Sequence, residues 1–126
     1  MTLTMHSITF DCHEPRRLAR FWASALAYNT GRMEDDLATA EDPHGQAPRL
    51  LFVQVPEGKV VKNRVHLDLR AGDLDAEVAR LTELGARTLT LFDFGPGDTF
   101  TVMQDPEGNE FCVEQGAADD HGTEAS

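Results

Sequence analysis

The chain predicts an α+β fold of two βαβββ modules, arranged as a cup-shaped, barrel-like mixed sheet with the helices on the outside. Three observations carry this expectation. Helical periodicity appears twice, after Pro15 and after Asp73, and each helix is preceded by one alternating stretch and followed by three strand-like ones. The turn sequence Asp-Pro-X-Gly stands before the last strand of each half, as Asp42-Pro43-His44-Gly45 and as Asp105-Pro106-Glu107-Gly108. The whole order of elements recurs with a period of roughly 60 residues, which marks an internal repeat. One domain over residues 1–116 follows, with module one at about 4–56, module two at about 62–115 and an acidic, disordered tail at 117–126.

A length of 126 residues suffices for one core without staples. Lys and Arg number 11 against 22 Asp and Glu, a formal charge of -11, which repels phosphate backbones and anionic membranes. Nucleic acid and membrane are therefore not the expected partners. No run approaches the roughly 18 apolar residues of a membrane span, and Met1 to Met5 lack the features of a signal peptide, so the expected location is cytoplasmic. Cys12 and Cys112 lack metal-knuckle spacing and are read as reduced thiols.

Taken in order, Ser7 to Cys12 alternate, with Ile8, Phe10 and Cys12 on one face and Ser7, Thr9 and Asp11 on the other. His6 falls in register with the apolar set, as a strand-end or packed histidine. Glu14-Pro15 opens a helix, because proline at the first helical position forfeits no hydrogen bond. Leu18, Phe21, Trp22, Ala25 and Leu26 mark its inner face, Phe21 and Trp22 as core anchors. Strands follow at 28–33, 37–40 and 50–55, with His44 at the solvated tip of the Asp-Pro turn. In the second half Asp73 caps a helix whose inner residues are Leu74, Val78, Leu81 and Leu84, and Gly85 ends it. Strands at 88–92, 100–104 and 110–114 complete the repeat.

The stretch Lys62 to Leu69 carries the chemistry. As a strand it buries Val65, Leu67 and Leu69 and presents Arg64, His66 and Asp68 on the other face. In the last strand Glu110, Cys112 and Glu114 likewise share one face, opposite Phe111 and Val113. Lining up the halves sets Ser7, Thr9 and Asp11 beside His66, Asp68 and Arg70. The repeat thus places His66 inside the predicted cup, with Asp11 and Cys112 nearby.

The repeated unit, Leu18-Ala19-Arg20-Phe21-Trp22, Asn63-Arg64-Val65-His66-Leu67-Asp68-Leu69 and Asp105-Pro106-Glu107-Gly108-Asn109-Glu110-Phe111 together resemble the glyoxalase-like branch of the vicinal oxygen chelate superfamily. That superfamily includes glyoxalase I, bleomycin-resistance proteins, fosfomycin-resistance enzymes and extradiol dioxygenases. The resemblance covers about residues 4–115. It implies a divalent metal held by ligands from four strands, able to chelate two neighbouring substrate oxygens. Here His66 fills the third ligand position and is the only clear match. The first corresponds to Ser7, or to His6 if the strand bulges; the second falls in Leu51 to Gln54, which holds no carboxylate; the fourth is Cys112, where glutamate is usual. The first helix ends Leu26-Ala27-Tyr28 where the family has Leu-Gly, so a different helix end is expected.

The resulting expectation is a glyoxalase-like protein that binds a small organic molecule in its cup, without the usual metal-ligand carboxylates. His66 and Asp68 are the candidate catalytic residues of a lyase or isomerase. Asp11, Arg64, Cys112 and Glu114 are candidate ligand contacts, Arg64 toward an anion at the rim. No cofactor is assigned, and a divalent metal, in an unusual set of Asp11, His66, Asp68, Cys112 and Glu114, is the disfavoured option. Cys112 is read as a small buried thiol rather than as a nucleophile activated by His66. The alternative function is metal-independent sequestration of a drug or metabolite, of bleomycin-resistance type. A homodimer is the implied assembly.

Overall fold

The computed structural model describes residues 3–116. The tail predicted as disordered lies outside the described residues. Two compact units meet in sequence between Val60 and Val61. Each contains one helix and one four-stranded mixed sheet, so the strands form two sheets and not one closed barrel.

In the first unit the elements are β1 (Ser7–Cys12), α1 (Pro15–Leu26), β2 (Asn29–Met33), β3 (Leu37–Glu41) and β4 (Arg49–Gln54). The sheet order is β1-β4-β3-β2, with β1 and β4 parallel and the other pairs antiparallel. A parallel neighbour is possible because α1, β2 and β3 provide the long crossover that such a pair needs. Helix α1 packs on β2, β3 and β4, burying Leu18, Ala19, Phe21 and Trp22. Phe10 joins helix to sheet, with ring centroids 5.7 Å from Trp22 and 5.2 Å from Phe52. Burying side chains such as Leu18 and Phe52, both at 0 % exposure, stabilises by about 2–3 kcal/mol each. His6, read as a strand-end or packed histidine, is the former: it lies exposed directly before β1, and its Nδ1 meets the Ser7 hydroxyl at 3.0 Å.

The second unit repeats this plan: β5 (Leu67–Ala71), α2 (Leu74–Leu84), β6 (Arg87–Asp93), β7 (Thr99–Gln104) and β8 (Glu110–Gln115), in the order β5-β8-β7-β6 with β5 and β8 parallel. Phe111, Val113 and Met103 are buried on the sheet, as are Leu74 and Leu81 on α2, which packs on β6 and β8. The Asp73 carboxylate accepts from the Ala76 amide at 3.2 Å and caps α2. Gln115 fastens the same end to the sheet: its Oε1 accepts from the Leu74 amide at 2.9 Å and its Nε2 donates to the Gly72 carbonyl at 2.7 Å.

The matched turns work alike. Asp42 accepts from the amides of His44, Gln46 and Ala47, and Asp105 from the amides of Glu107 and Asn109 and from the Asn109 side chain. Each turn closes on a glycine of positive φ, 65° at Gly45 and 89° at Gly108, a conformation that side chains disfavour. Asp105 is 2 % exposed, so its four acceptances also satisfy a buried charge.

Two local expectations are corrected. The strand predicted from Arg64 begins at Leu67, and Val65 is 78 % exposed. The cause is Asn63, whose amide donates to Glu110 Oε1 at 2.7 Å and whose side chain donates to the Glu110 carbonyl at 3.2 Å. This clamp is followed by a bend at Arg64 and Val65. Second, α1 ends as a glycine-terminated helix would: Ala27 adopts φ 56° and ψ 40°, and its N–H donates to the Ala23 carbonyl. Packing of the helix overrides the cost of placing an L residue in the left-handed region.

Replacing Ala27, an exposed residue, with glycine should raise stability by about 0.5–1 kcal/mol, read as a Tm increase of a few degrees by calorimetry. Gly31→Ala should act oppositely. A Cβ there collides with the Glu41 carboxylate and the Thr39 hydroxyl, and Thr39 is fully buried and accepts from the Arg32 amide at 2.9 Å. A loss of about 1–3 kcal/mol in denaturant unfolding is the expected result.

Candidate functional site

The parallel register of β5 on β8 sets Asp68 beside Cys112 and Arg70 beside Glu114. The antiparallel register of β7 on β8 adds Val102 opposite Cys112 and Phe100 opposite Glu114. Because paired residues share a face, these side chains stand on the side of the sheet away from Phe111, Val113 and Met103. There they border a cavity of about 190 Å³ lined by Asp68, Leu69, Phe100, Cys112 and Glu114. Beyond it, Phe100 stacks with Phe92 at a centroid distance of 5.0 Å, and Phe94 lies 5.9 Å from Phe92 and 6.2 Å from Phe100.

Burial pushes the Cys112 thiol above its ordinary pKa; the Asp68 charge and a hydrogen bond to Asp68 push the same way, Lys62 opposes and Glu114 adds. The group is therefore a neutral thiol at physiological pH that donates to the Asp68 carboxylate. A nucleophile needs the thiolate, so this environment opposes that role. Glu114 is met by Arg70 Nη2 at 3.4 Å, which offsets its charge within the cavity wall. Asp68 is left as the carboxylate with acceptor capacity facing the space.

Three candidate site residues thus converge: Asp68, Cys112 and Glu114. His66 does not line the cavity. It lies half-buried just before β5, where its Nε2 is 2.6 Å from Lys62 Nζ and 3.2 Å from the Asn63 carbonyl. Either tautomer commits Nε2, accepting from the ammonium or donating to the carbonyl. Arg64 is exposed in the bend that precedes the strand. Asp11 is exposed on β1 of the first unit, in register with Val53.

Phe100 and Lys62 were not singled out from sequence. A signal for Phe100 exists, since Phe92, Phe94 and Phe100 bracket the loop Gly95-Pro96-Gly97 and a hairpin brings such residues together. Lys62 precedes the strand and carries no periodic signal. A second, larger cavity of about 390 Å³ in the first unit is lined by His13, Gln54, Val55 and Pro56. His13 Nε2 lies 3.1 Å from the Pro56 carbonyl and its own carbonyl accepts from Gln54 Nε2 at 3.2 Å. Those contacts read as a strut between two strand ends, and no second titratable side chain faces His13 across that lining.

The residues present do not fit the metal implied by the resemblance. Among the described residues no group of three or more His, Cys, Asp or Glu side chains gathers to hold an ion. At the first position the Ser7 hydroxyl accepts from Arg49 Nε at 2.8 Å, and a fixed guanidinium repels a divalent cation.

A family model described as a glyoxalase-like domain matches residues 7–114. No curated protein matches the sequence significantly. Among solved structures, a glyoxalase/bleomycin resistance protein/dioxygenase family enzyme from Burkholderia phytofirmans PsJN superposes with a TM-score of 0.73 at 12% identity, over 90% of this chain and 98% of that one. The fosfomycin resistance protein FosX from Mesorhizobium loti gives 0.69 at 14% identity, over 96% and 98%. A hypothetical protein from S. aureus gives 0.67 at 18% identity, over 92% and 99%. These likenesses concern the fold.

The raised thiol has a measurable consequence. Alkylation of Cys112 by iodoacetamide, located by peptide mass, should be slow at pH 7 and should accelerate only above the usual thiol range near 8.5. Asp68→Asn removes an upward influence and should speed the reaction at pH 8, while Lys62→Met should slow it.

Proposed function

The chain belongs to the glyoxalase-like domain family, and on that footing we propose that its second unit binds a small organic molecule without the divalent metal of the chelating members. Asp68 accepts a hydrogen bond from the ligand. Phe100 supplies the apolar wall, and the Phe92 and Phe94 rings extend it. The observation that carries this reading is that Phe100 belongs both to the cavity lining and to the three-ring cluster. Binding of this kind needs shape, aromatic surface and one or two placed polar groups, and these are the elements present.

The cavity of about 190 Å³ is smaller than the roughly 300–1,000 Å³ of sites that enclose drug-sized ligands. It therefore suits one ring or short chain of a ligand whose remainder lies over the phenylalanines. This favours the sequestering alternative over a lyase or isomerase centred on His66, because His66 Nε2 is engaged with Lys62 and Asn63 outside the lining. Should turnover be found, Asp68 is the group positioned to take a proton, with the Cys112 thiol orienting its carboxylate.

A thermal-shift panel of small aromatic and heteroaromatic amines, amides and alcohols provides the test. Ligands that stabilise the wild-type protein should lose about tenfold or more in affinity with Phe100→Ala or Asp68→Asn, a loss of about 1.4 kcal/mol, and should be indifferent to His66→Ala and to chelators. Loss of binding with chelator, or with His66→Ala alone, would overturn this reading in favour of a metal or histidine site.

A further inference from the structure

Arginines in this chain are generally matched to acids. Arg16, Arg17, Arg32, Arg70 and Arg80 each approach a carboxylate, of Asp35, Glu14, Glu34, Glu114 and Glu77 respectively, within 4 Å. Arg20 and Arg64 are exposed to water, as is Arg87, which donates to Gln104 Oε1 at 2.6 Å. Arg49 differs from both groups, since it is half-buried and no carboxylate among the described residues forms an ion pair with it. Withdrawing a guanidinium from water without an acid is unfavourable, and the chain has 22 acids from which to draw a partner.

The local geometry holds this arginine in place. Ser7 and Arg49 are register partners at the start of the parallel pair β1 and β4. Arg49 Nε donates to the Ser7 hydroxyl at 2.8 Å, and that hydroxyl lies 3.0 Å from His6 Nδ1, to which it can donate in turn. The Arg49 amide is spent on the His6 carbonyl at 3.3 Å. One of five guanidinium hydrogens is thereby used to orient the group, and the Nη pair has no partner among the described residues. Glu41 follows Ala40, the residue paired with Leu50, and so falls opposite Arg49. Its Oε2 accepts from the Thr39 hydroxyl at 2.9 Å instead.

We infer that Arg49, oriented by Ser7 and with His6 beside it, is a binding site for a small oxyanion: a carboxylate, phosphate or phosphonate group. The planar fork of a guanidinium matches two oxygens of such a group with parallel hydrogen bonds. The site belongs to the first unit and goes beyond the binding assigned to Asp68 and Phe100. Its charge is the inverse of a metal site, as the protein supplies the cation and the ligand the oxygens. The nearby Glu41 carboxylate limits its strength.

The test uses the isotope-labelled full-length chain titrated with inorganic phosphate and, separately, acetate, at constant ionic strength balanced with chloride. Saturable shifts of the Ser7 amide and the Arg49 Nε–H signal are expected for at least one anion. Arg49→Gln should weaken binding about tenfold or more, and Glu41→Gln, which keeps the Thr39 hydrogen bond, should tighten it about two- to fivefold. Arg49→Lys should weaken acetate binding more than phosphate binding, because the fork is lost and the charge kept. Arg64→Gln, on the second unit, should change nothing. Shifts linear to about 100 mM, far weaker than the millimolar affinity worth about 4 kcal/mol, would overturn the inference, as would equal losses with Arg64→Gln. If Arg49→Gln does not fold, Ser7→Ala decides: an unchanged affinity would also overturn it, and a severalfold loss would support it.

Discussion

The structure depends on one kind of contact, the parallel pairing between the first and last strands of each module. β1 lies on β4 and β5 on β8, each pair separated by a helix and two strands. Such pairing is intrinsically costly to form, because a long loop must close before any ladder bond is made. It holds here because each helix covers one face of the resulting sheet. The opposite face then carries whatever residues the register sets side by side. Asp68 and Cys112 touch although 44 positions separate them, and Ser7 and Arg49 touch although 42 do.

The turn carboxylates protect that register. Asp105 fixes the reversal into β8, and a slip of one residue there would exchange Cys112 and Glu114 for Phe111 and Val113 on the cavity face. Asn63 and Gln115 add clamps at the two ends of the same pair, one at Glu110 and the other at Gly72. The site residues are thus positioned by regular backbone and by buried polar side chains, and little is left to mobile loops. This is what a cavity of modest size needs if a few contacts are to discriminate among ligands.

Most of the fold was legible in the sequence because it is written in local signals. Helix periodicity, Pro15 at the first helical position, the Asp73 cap and the two Asp-Pro-X-Gly turns are each short-range, and each stands where expected. The site was legible only in part. Asp68, Cys112 and Glu114 could be paired because two alternating strands of one module were recognisable. The start of β5 is not legible from alternation, because the Asn63 to Glu110 hydrogen bonds impose a bend at Arg64 and Val65 that no local pattern reveals. Ala27 was expected to alter the helix end, but local strain of about 1–2 kcal/mol is small beside the burial of Leu18, Phe21 and Trp22 that holds α1 in place.

The repeat also explains how one frame carries different chemistry. Three register steps along the parallel pair read Ser7 with Arg49, Thr9 with Leu51 and Asp11 with Val53 in the first module. In the second, whose ladder begins at Leu67, Glu110 opens β8 and the pairs are Asp68 with Cys112 and Arg70 with Glu114. The frame is the same and the charges differ: a guanidinium on β4 stands where β8 has a carboxylate, and apolar Leu51 and Val53 stand where β8 has a thiol and an acid. Backbone pairing and the helix-facing residues are common to both modules, whereas the residues on the opposite face differ between them. The chain thus keeps the architecture of a glyoxalase-like domain while its second sheet offers an acid, a neutral thiol and a phenylalanine.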